Sequence, residues 1–415
     1  MVTKRFDTPV LYPMDPGVEQ REREFLDRVR EIVPYVREHA LEAEKLRHLP
    51  EETLRKIQDT GMFRLHAPLS YGGLQLGLNA HAQAARLLAQ GDLSTAWSAS
   101  FLTLGSLRVS KRSKALQDRI FGEQIDVLSC GTNQAREGAS IEQQPDGRYL
   151  VNGRWAFASA IHNARYVEVT LPYKRNEQGQ EQRIAALIPT DKVQIIDVWH
   201  MSGMQGTGSN DILIENVLLD PEMVTAYELR NESTNPGTEL HPDHPFLRYS
   251  THHVVFALHA AYVLGAAERA VEYFRTEIAP KRQRPWGTGP LIESPVVQKN
   301  YGEARYEVET AGVLLDYQIQ LIADHYAHGV EPDWDTRAYL NTSSVGIIRQ
   351  AAQAIQIVAR MSGGSMHRSY NELDRLQRDV EVLMNHSSGD WDFHAESSGR
   401  VQLGLGLGTR PDTFF

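Results

Sequence analysis

Apolar residues recur at steps of three and four through Phe25, Val29, Ile32, Val33 and Val36, between Glu19 and Glu42, which predicts an amphipathic helix with one buried stripe. Pro34 lies inside that run and is expected to bend it. A second helix has punctuation at both ends. Pro50 stands at its first turn with Glu51 and Glu52 complementing the helix dipole, and Gly61 after Thr60 reads as a C-terminal cap. Tyr71-Gly72-Gly73 is a turn, and helical periodicity resumes over about Ala80 to Leu88 and Ser94 to Leu116.

Near Ile125 the period shortens. Alternating runs at Tyr166 to Thr170, about Ile184 to Ile188, and Ile212 to Leu218 are separated by Asp146-Gly147, Asn152-Gly153 and prolines, which predicts a domain of short strands, a barrel or sandwich. A βαβ rhythm is missing, so a Rossmann domain is disfavoured. Asn231 to Pro245 reads as a polar linker. Long helices are then expected over about Tyr249–Ile278, Val296–His328 and Thr336–Arg360, with a shorter pair in Asn371–Arg400. Val345, Ile348, Ala352, Ile355 and Ala359 form the seam of a packed bundle. Helices, strands and helices in that order predict an α+β chain.

Composition narrows the function classes. The 415 residues carry a formal net charge of −10, and the densest basic patch, Lys281-Arg282-Gln283-Arg284, is too short to track a nucleic-acid backbone. Nucleic acid is therefore not an expected partner. A lone cysteine, Cys130, excludes a disulfide framework or a multi-thiolate metal site within one chain. There is no run of eighteen apolar residues, and Met1 to Pro16 mixes charges with prolines, so neither a membrane span nor an export signal is expected and the location reads as cytoplasmic.

Several short motifs occur in a telling order: Glu44 to Pro50, Tyr71-Gly72-Gly73, Thr95-Ala96-Trp97, Trp155-Ala156-Phe157-Ala158-Ser159, Gly206-Thr207-Gly208-Ser209, Leu264 to Arg269, and Leu376-Gln377-Arg378-Asp379 ahead of His386. In this order the chain resembles the reduced-flavin oxygenase component of two-component flavin monooxygenases, 4-hydroxyphenylacetate 3-hydroxylase type, which shares the acyl-CoA dehydrogenase fold. The resemblance implies an N-terminal α-helical domain (1–124), a middle β-barrel (125–235) and a C-terminal four-helix bundle (236–415), with the isoalloxazine ring between barrel and bundle. It further implies a homotetramer and a separate NAD(P)H-dependent flavin reductase that delivers reduced FMN or FAD. With O2 the flavin would form a C4a-hydroperoxide and hydroxylate an aromatic or heteroaromatic small molecule.

By the same resemblance Ser159 would meet flavin N5, with Phe157 on the same strand. Thr207, Gly208 and Ser209 would form the loop that touches the flavin from the barrel side, where glycines permit close approach and hydroxyls satisfy flavin oxygens. Thr132 and Asn133 would lie over the pyrimidine ring, and Arg282 or Arg284 would meet the phosphate. His386 corresponds to the C-terminal histidine near C4a, able to take a phenolic proton. Where the hydroxyphenylacetate enzymes carry a pocket histidine, this chain has Leu104-Gly105-Ser106-Leu107. Ser106 is thus a candidate substrate contact, along with His252, Phe256 and His259, which share one helix face.

An acyl-CoA dehydrogenase is the alternative, but it needs a carboxylate to remove an α-proton, and Met384 to Trp391 lacks the usual glutamate. Oxidation at nitrogen or sulfur on the same fold is a further alternative. His241-Pro242-Asp243-His244 and the Asp390 to Glu396 segment have metal-like composition but read as loop and helix surface, so no metal is assigned. The glycines of Gly404 to Gly408 follow a helix instead of opening one, which fits a tail and not a dinucleotide loop.

Overall fold

In the computed structural model, residues 16–175, 181–284, 289–327 and 329–408 are described. The expectation about export from residues 1 to 15 lies outside them. The first helix, α1 (Pro16–Glu38), runs through Pro34 and is followed by α2 (Ala40–Leu46) and α3 (Glu51–Asp59). Gly61 takes up the left-handed conformation (φ 91°) that a residue just past a helix end requires. Next come α4 (Leu78–Ala89), α5 (Leu93–Ser110) and α6 (Lys114–Glu123). The continuous helix expected from Ser94 to Leu116 is two helices, because Ser113 accepts from Leu116 N and caps a new one.

The strands are β1 (Ser129–Thr132), β2 (Gln134–Ala135), β3 (Ser140–Gln143), β4 (Tyr149–Ala158), β5 (Tyr166–Arg175), β6 (Glu181–Pro189), β7 (Gln194–Ile196), β8 (Asn210–Leu219) and β9 (Val224–Ala226). They do not close into the expected barrel. Among the described residues they form two sheets, ordered β1-β5-β6-β9 and β2-β4-β8-β7, with β3 on β4. The chain passes from one sheet to the other at Asn133, so β1 and β2 pair with different partners. Trp155 fills the space between them, fully buried, its indole N–H donating to Thr170 O (3.0 Å). That is a sandwich-like pair of sheets.

The polar segment after the strands is more ordered than a linker. It holds α7 (Pro236–Leu240), capped by Asn235, and His244 is buried there with Nε2 2.9 Å from His66 O. The remaining helices are α8 (Thr251–Tyr273, extended by a wider turn to Ile278), α9 (Pro295–Ala327), α10 (Trp334–Met361), α11 (Glu372–Met384) and α12 (Trp391–Gln402). α8 packs on α9, α10 and α11, and α12 on α10. The seam from Val345 to Ala359 is buried. α8 has the length and apolarity of a membrane span, but 83% of its most apolar window is buried in the protein, which makes it the core helix of the bundle. Asp390 caps α12 by accepting from Phe393 N, and no group of three metal-ligating side chains occurs among the described residues.

Candidate active site

Two turns leave the sheets with their backbones in an uncommon conformation. Phe157 (φ 59°) and Ala160 (φ 61°) end β4, and Met204 (φ 52°) opens the Gly203–Ser209 loop before β8. Left-handed geometry costs a side-chain-bearing residue about 1–2 kcal/mol, so three such residues in two turns joined by Ala160 N–H donating to Thr207 O (2.8 Å) mark a place shaped for something other than stability. Gly208 (φ 50°) is also left-handed, and a Cβ there would stand 2.4 Å from Arg47 O, so only glycine fits.

These turns bring three of the expected hydroxyls together. Ser159 Oγ is 2.8 Å from Ser209 Oγ, which is 2.8 Å from Thr207 Oγ1, and Thr207 donates to Met204 O (2.8 Å). Each hydroxyl has one proton, so the direction is fixed: Thr207 spends its proton on Met204 O, Ser209 must donate to Thr207, and Ser159 must donate to Ser209. Ser159 is left with lone pairs and no proton to offer. Beside it Phe157 is 54% exposed, with Trp199 edge-on at 6.3 Å and Val198 and Met201 exposed as well. Trp199 is held by its indole N–H on Met204 O (2.9 Å) and its backbone N–H on Asn210 Oδ1 (2.9 Å). An exposed phenyl ring and a half-buried indole beside a buried hydroxyl chain fit a planar heteroaromatic ring with a polar edge, as a flavin has.

The loop is fixed from behind by the bundle. Asp379 Oδ1 accepts from Met204 N (2.5 Å), and a Cβ on Gly203 would stand 2.2 Å from Arg378 O. Burial, with the Asp92 carboxylate second, raises the Asp379 pKa to about 7. Arg375 stands near Asp92, which caps α5 through Thr95 N. Ser94 on that first turn of α5 touches the loop, its Oγ 4.0 Å from Met204 Sδ and its Cβ 3.0 Å from where a Gly206 Cβ would lie.

One helical turn on, Trp97 faces a second cluster. His259 stacks on it (4.6 Å between ring centres), Phe101 stacks beside it (4.7 Å), and His386 meets it edge-on (5.4 Å). His386 Nδ1 and His259 Nδ1 both contact Ser388 Oγ, at 2.8 and 2.5 Å. His252 and Phe256 continue the same face of α8, with ring centres 4.6 Å apart, and Phe256 meets His394 at 5.1 Å. Desolvation lowers the His386 pKa to about 4, although the outer part of that residue stays open to solvent.

The other predicted site residues fall elsewhere. Ser106 is nine residues past Trp97, half a revolution around α5, and its Oγ accepts from His66 N and donates to Thr103 O inside the N-terminal helices. Asn133 is occupied by Tyr227 OH and Thr170 Oγ1, both at 3.1 Å. Thr132 donates to Ala156 O and so braces β4 next to Phe157. Arg282 and Arg284 follow the far end of α8, about 30 Å along the helix from His259, so one chain cannot bring them to the same cluster. The guanidinium of Arg282 lies over Gly363, and Arg284 is 3.8 Å from Glu293.

Asp379, Trp199, Ser388 and His394 were not among the expected site residues. Only Asp379 carried a visible signal, as the last residue of the Leu376–Asp379 motif.

Comparison with known proteins agrees with this architecture. Residues 19–111 match the N-terminal domain model and residues 257–391 the C-terminal domain model of acyl-CoA dehydrogenase, together more than half of the chain. The chain belongs to the acyl-CoA dehydrogenase family. Within that fold it is similar over nearly its whole length to oxygenase components. It is 26% identical to the p-hydroxyphenylacetate 3-hydroxylase oxygenase component of Acinetobacter baumannii, covering 92% of this chain and 89% of that one. It is 27% identical to the flavin-dependent monooxygenase oxygenase subunit HsaA of Rhodococcus jostii, covering 92% and 98%. Among solved structures, XiaF from Streptomyces sp. in complex with FADH2 and glycerol superposes with a TM-score of 0.86 at 21% identity, covering 95% and 98%.

Proposed function

We propose that this chain is the oxygenase component of a two-component flavin-dependent monooxygenase, taking reduced FMN or FAD from a separate NAD(P)H-dependent reductase and using O2 to hydroxylate an aromatic or heteroaromatic small molecule. The observation that carries this reading is the directed hydroxyl chain from Ser159 to Met204 O, which leaves Ser159 as a hydrogen-bond acceptor. Reduced flavin presents an N–H at N5, whereas oxidised flavin presents a lone pair there. The site is therefore complementary to the reduced form. A bound reduced flavin would supply the electrons and, with oxygen, the atom that is transferred.

This chain's residues do the rest. Ser159 would accept from the N5 proton, Phe157 and Trp199 would pack on the ring, and the buried Met204 would keep water from that edge. The aromatic lining of Trp97, Phe101 and Phe256 suits a flat substrate, and the imidazoles of His259 and His386 suit one with an acidic O–H or N–H. Dehydrogenation of a thioester is not favoured. The carboxylate in the segment where a base is needed is Asp390, and its Oδ1 is engaged with Phe393 N.

Arg282 and Arg284 would meet a flavin phosphate only in another copy of the chain, which a cytoplasmic homotetramer of packed bundles provides. Tyr306 and Val313, two turns apart on α9 and 65% and 72% exposed, leave an apolar strip that such packing would cover. The test is anaerobic loading with reduced FMN or FAD, an oxygen pulse in the presence of phenols, indoles and aromatic thioethers, and product analysis. A transient absorbance unlike that of either flavin redox state, followed by an oxygenated product, supports the reading; its absence with both flavins overturns it.

A further inference from the structure

Ser388 stands between two imidazoles, and the hydrogen bonds around it fix where each proton lies. Its backbone N–H donates to His386 Nδ1 (3.2 Å), so that nitrogen is bare and His386 carries its proton on Nε2. The contact of 2.8 Å between Ser388 Oγ and His386 Nδ1 is then the hydroxyl donating. With its proton spent, Ser388 Oγ must accept from His259 Nδ1 at 2.5 Å. His259 is thereby left with a bare Nε2, fully buried and without a hydrogen-bond partner. A buried acceptor without a partner costs free energy unless a ligand completes it. The chain runs from that buried nitrogen to His386, which solvent reaches.

We propose that His259 Nε2 takes the O–H or ring N–H proton of the aromatic substrate and that Ser388 relays a proton to His386, which releases one to water. This rests on the oxygenase reading only for the choice of an aromatic acid as substrate. The substrate O–H or N–H bond breaks as His259 Nε2–H forms. His259 Nδ1–H passes to Ser388 Oγ, the former Ser388 proton passes to His386 Nδ1, and the His386 Nε2 proton leaves to water. No electrons are exchanged, and the substrate remains as its anion, richer in density at the carbon to be oxygenated. Moving the first three of these protons together spares His259 a buried positive charge, which desolvation and the neighbouring His386 and His252 oppose. Ser387 O, held by His394 Nε2 at 3.0 Å, keeps the relay loop in register.

The test uses 4-nitrophenol, whose ionisation is visible, mixed anaerobically with protein loaded with reduced FMN in weak buffer containing a pH indicator, at a pH where the free phenol is protonated. The expected result is formation of bound nitrophenolate with release of one proton. Ser388→Ala should bind the phenol comparably but release the proton about 10-fold or more slowly, and His386→Gln should do the same. Ser388→Thr keeps the hydroxyl and should restore the rate, which separates relay from packing. His259→Gln should bind without ionising the phenol. Failure of 4-nitrophenol to bind or ionise in the parent, an unslowed Ser388→Ala, or a Ser388→Thr as slow as Ser388→Ala would each overturn the relay. An oxygen pulse on the same samples separates the two readings: ionisation without oxygenated product leaves the relay standing and removes the oxygenase, and product without ionisation does the reverse.

Discussion

Asp379 on α11 accepts a hydrogen bond of 2.5 Å from the backbone N–H of Met204, a contact that ties the loop beside the candidate flavin edge to the helical bundle. Both groups are buried, so Asp379→Ala would leave the Met204 N–H without a partner at a cost of about 1–3 kcal/mol. Asp379→Asn keeps an acceptor and should fold nearly as well. Its pH behaviour should differ from that of the parent. Because folding raises the Asp379 pKa to about 7, its contribution to stability is full below the unfolded carboxylate range near 4 and is lost as pH rises towards 7. Measured by urea unfolding between pH 4 and 8, the stability of the parent relative to Asp379→Asn should therefore fall as pH rises towards 7, on top of the histidine dependence that both share; a difference that does not change with pH would refute it.

Gly203 offers a second handle on the same contact. A Cβ there would stand 2.2 Å from Arg378 O and 2.8 Å from Asp379 N, which are backbone atoms and cannot swing aside. Gly203→Ala should push the loop off α11, costing about 1–3 kcal/mol. Reduced-flavin affinity should fall with it, since Thr207 and Ser209 ride on that loop. A variant as stable as the parent by thermal melting would argue against this.

Ser209→Ala removes the middle of the hydroxyl chain. Ser159 then has a free proton and can donate to N5 of oxidised flavin. The ratio of Kd for oxidised over reduced FMN should therefore fall by a factor of about 5, the worth of one net hydrogen bond. Titration of both redox forms under anaerobic conditions reads this directly, and an unchanged ratio would show that Ser159 is not the discriminating contact.

Much of this arrangement was legible from residue order and some of it could not be. The helices announced themselves by periodicity and caps, as at Pro50 and Gly61, because burial of one stripe and closure of helix ends are local requirements. The split of the strands into two sheets was not local. It depends on β1 and β2 taking different partners across Asn133. Ser159, Thr207 and Ser209 were singled out by resemblance, but the direction of their hydrogen bonds needed the Met204 carbonyl in space. Ser106 shows the limit from the other side. It follows Trp97 closely in sequence, yet a helix turns 100° per residue and carries it to the opposite face. Ser388 had no signal at all, since the second of two adjacent serines in a loop becomes a relay only when α8 brings His259 to it.

Acid should unfold this protein through its buried histidines. Burial lowers the pKa of His66 and His252 to about 3 and that of His244 to about 4. Each is built in as a neutral ring: His66 Nδ1 lies 2.8 Å from Leu76 O and its Nε2 2.9 Å from His81 Nδ1, while His252 Nε2 lies 3.3 Å from Asn341 Oδ1. For a base whose pKa is depressed by folding, the stabilisation is present above the unfolded value near 6.5 and is lost as pH falls towards the folded value. Below pH 6.5 the unfolded chain binds protons that the folded chain refuses. Each such histidine then costs about 1.4 kcal/mol per pH unit, so these three contribute up to about 4 kcal/mol per unit between pH 6 and 4, to which the buried His81, His253 and His259 add in the same direction. His252→Gln should lower the measured slope by up to its own share, about 1.4 kcal/mol per pH unit, whatever it does to stability at pH 8. If urea midpoints from pH 8 to 4.5 fall along the same slope in parent and variant, His252 is already protonated in the folded protein, and the neutral imidazole facing Asn341 would be wrong.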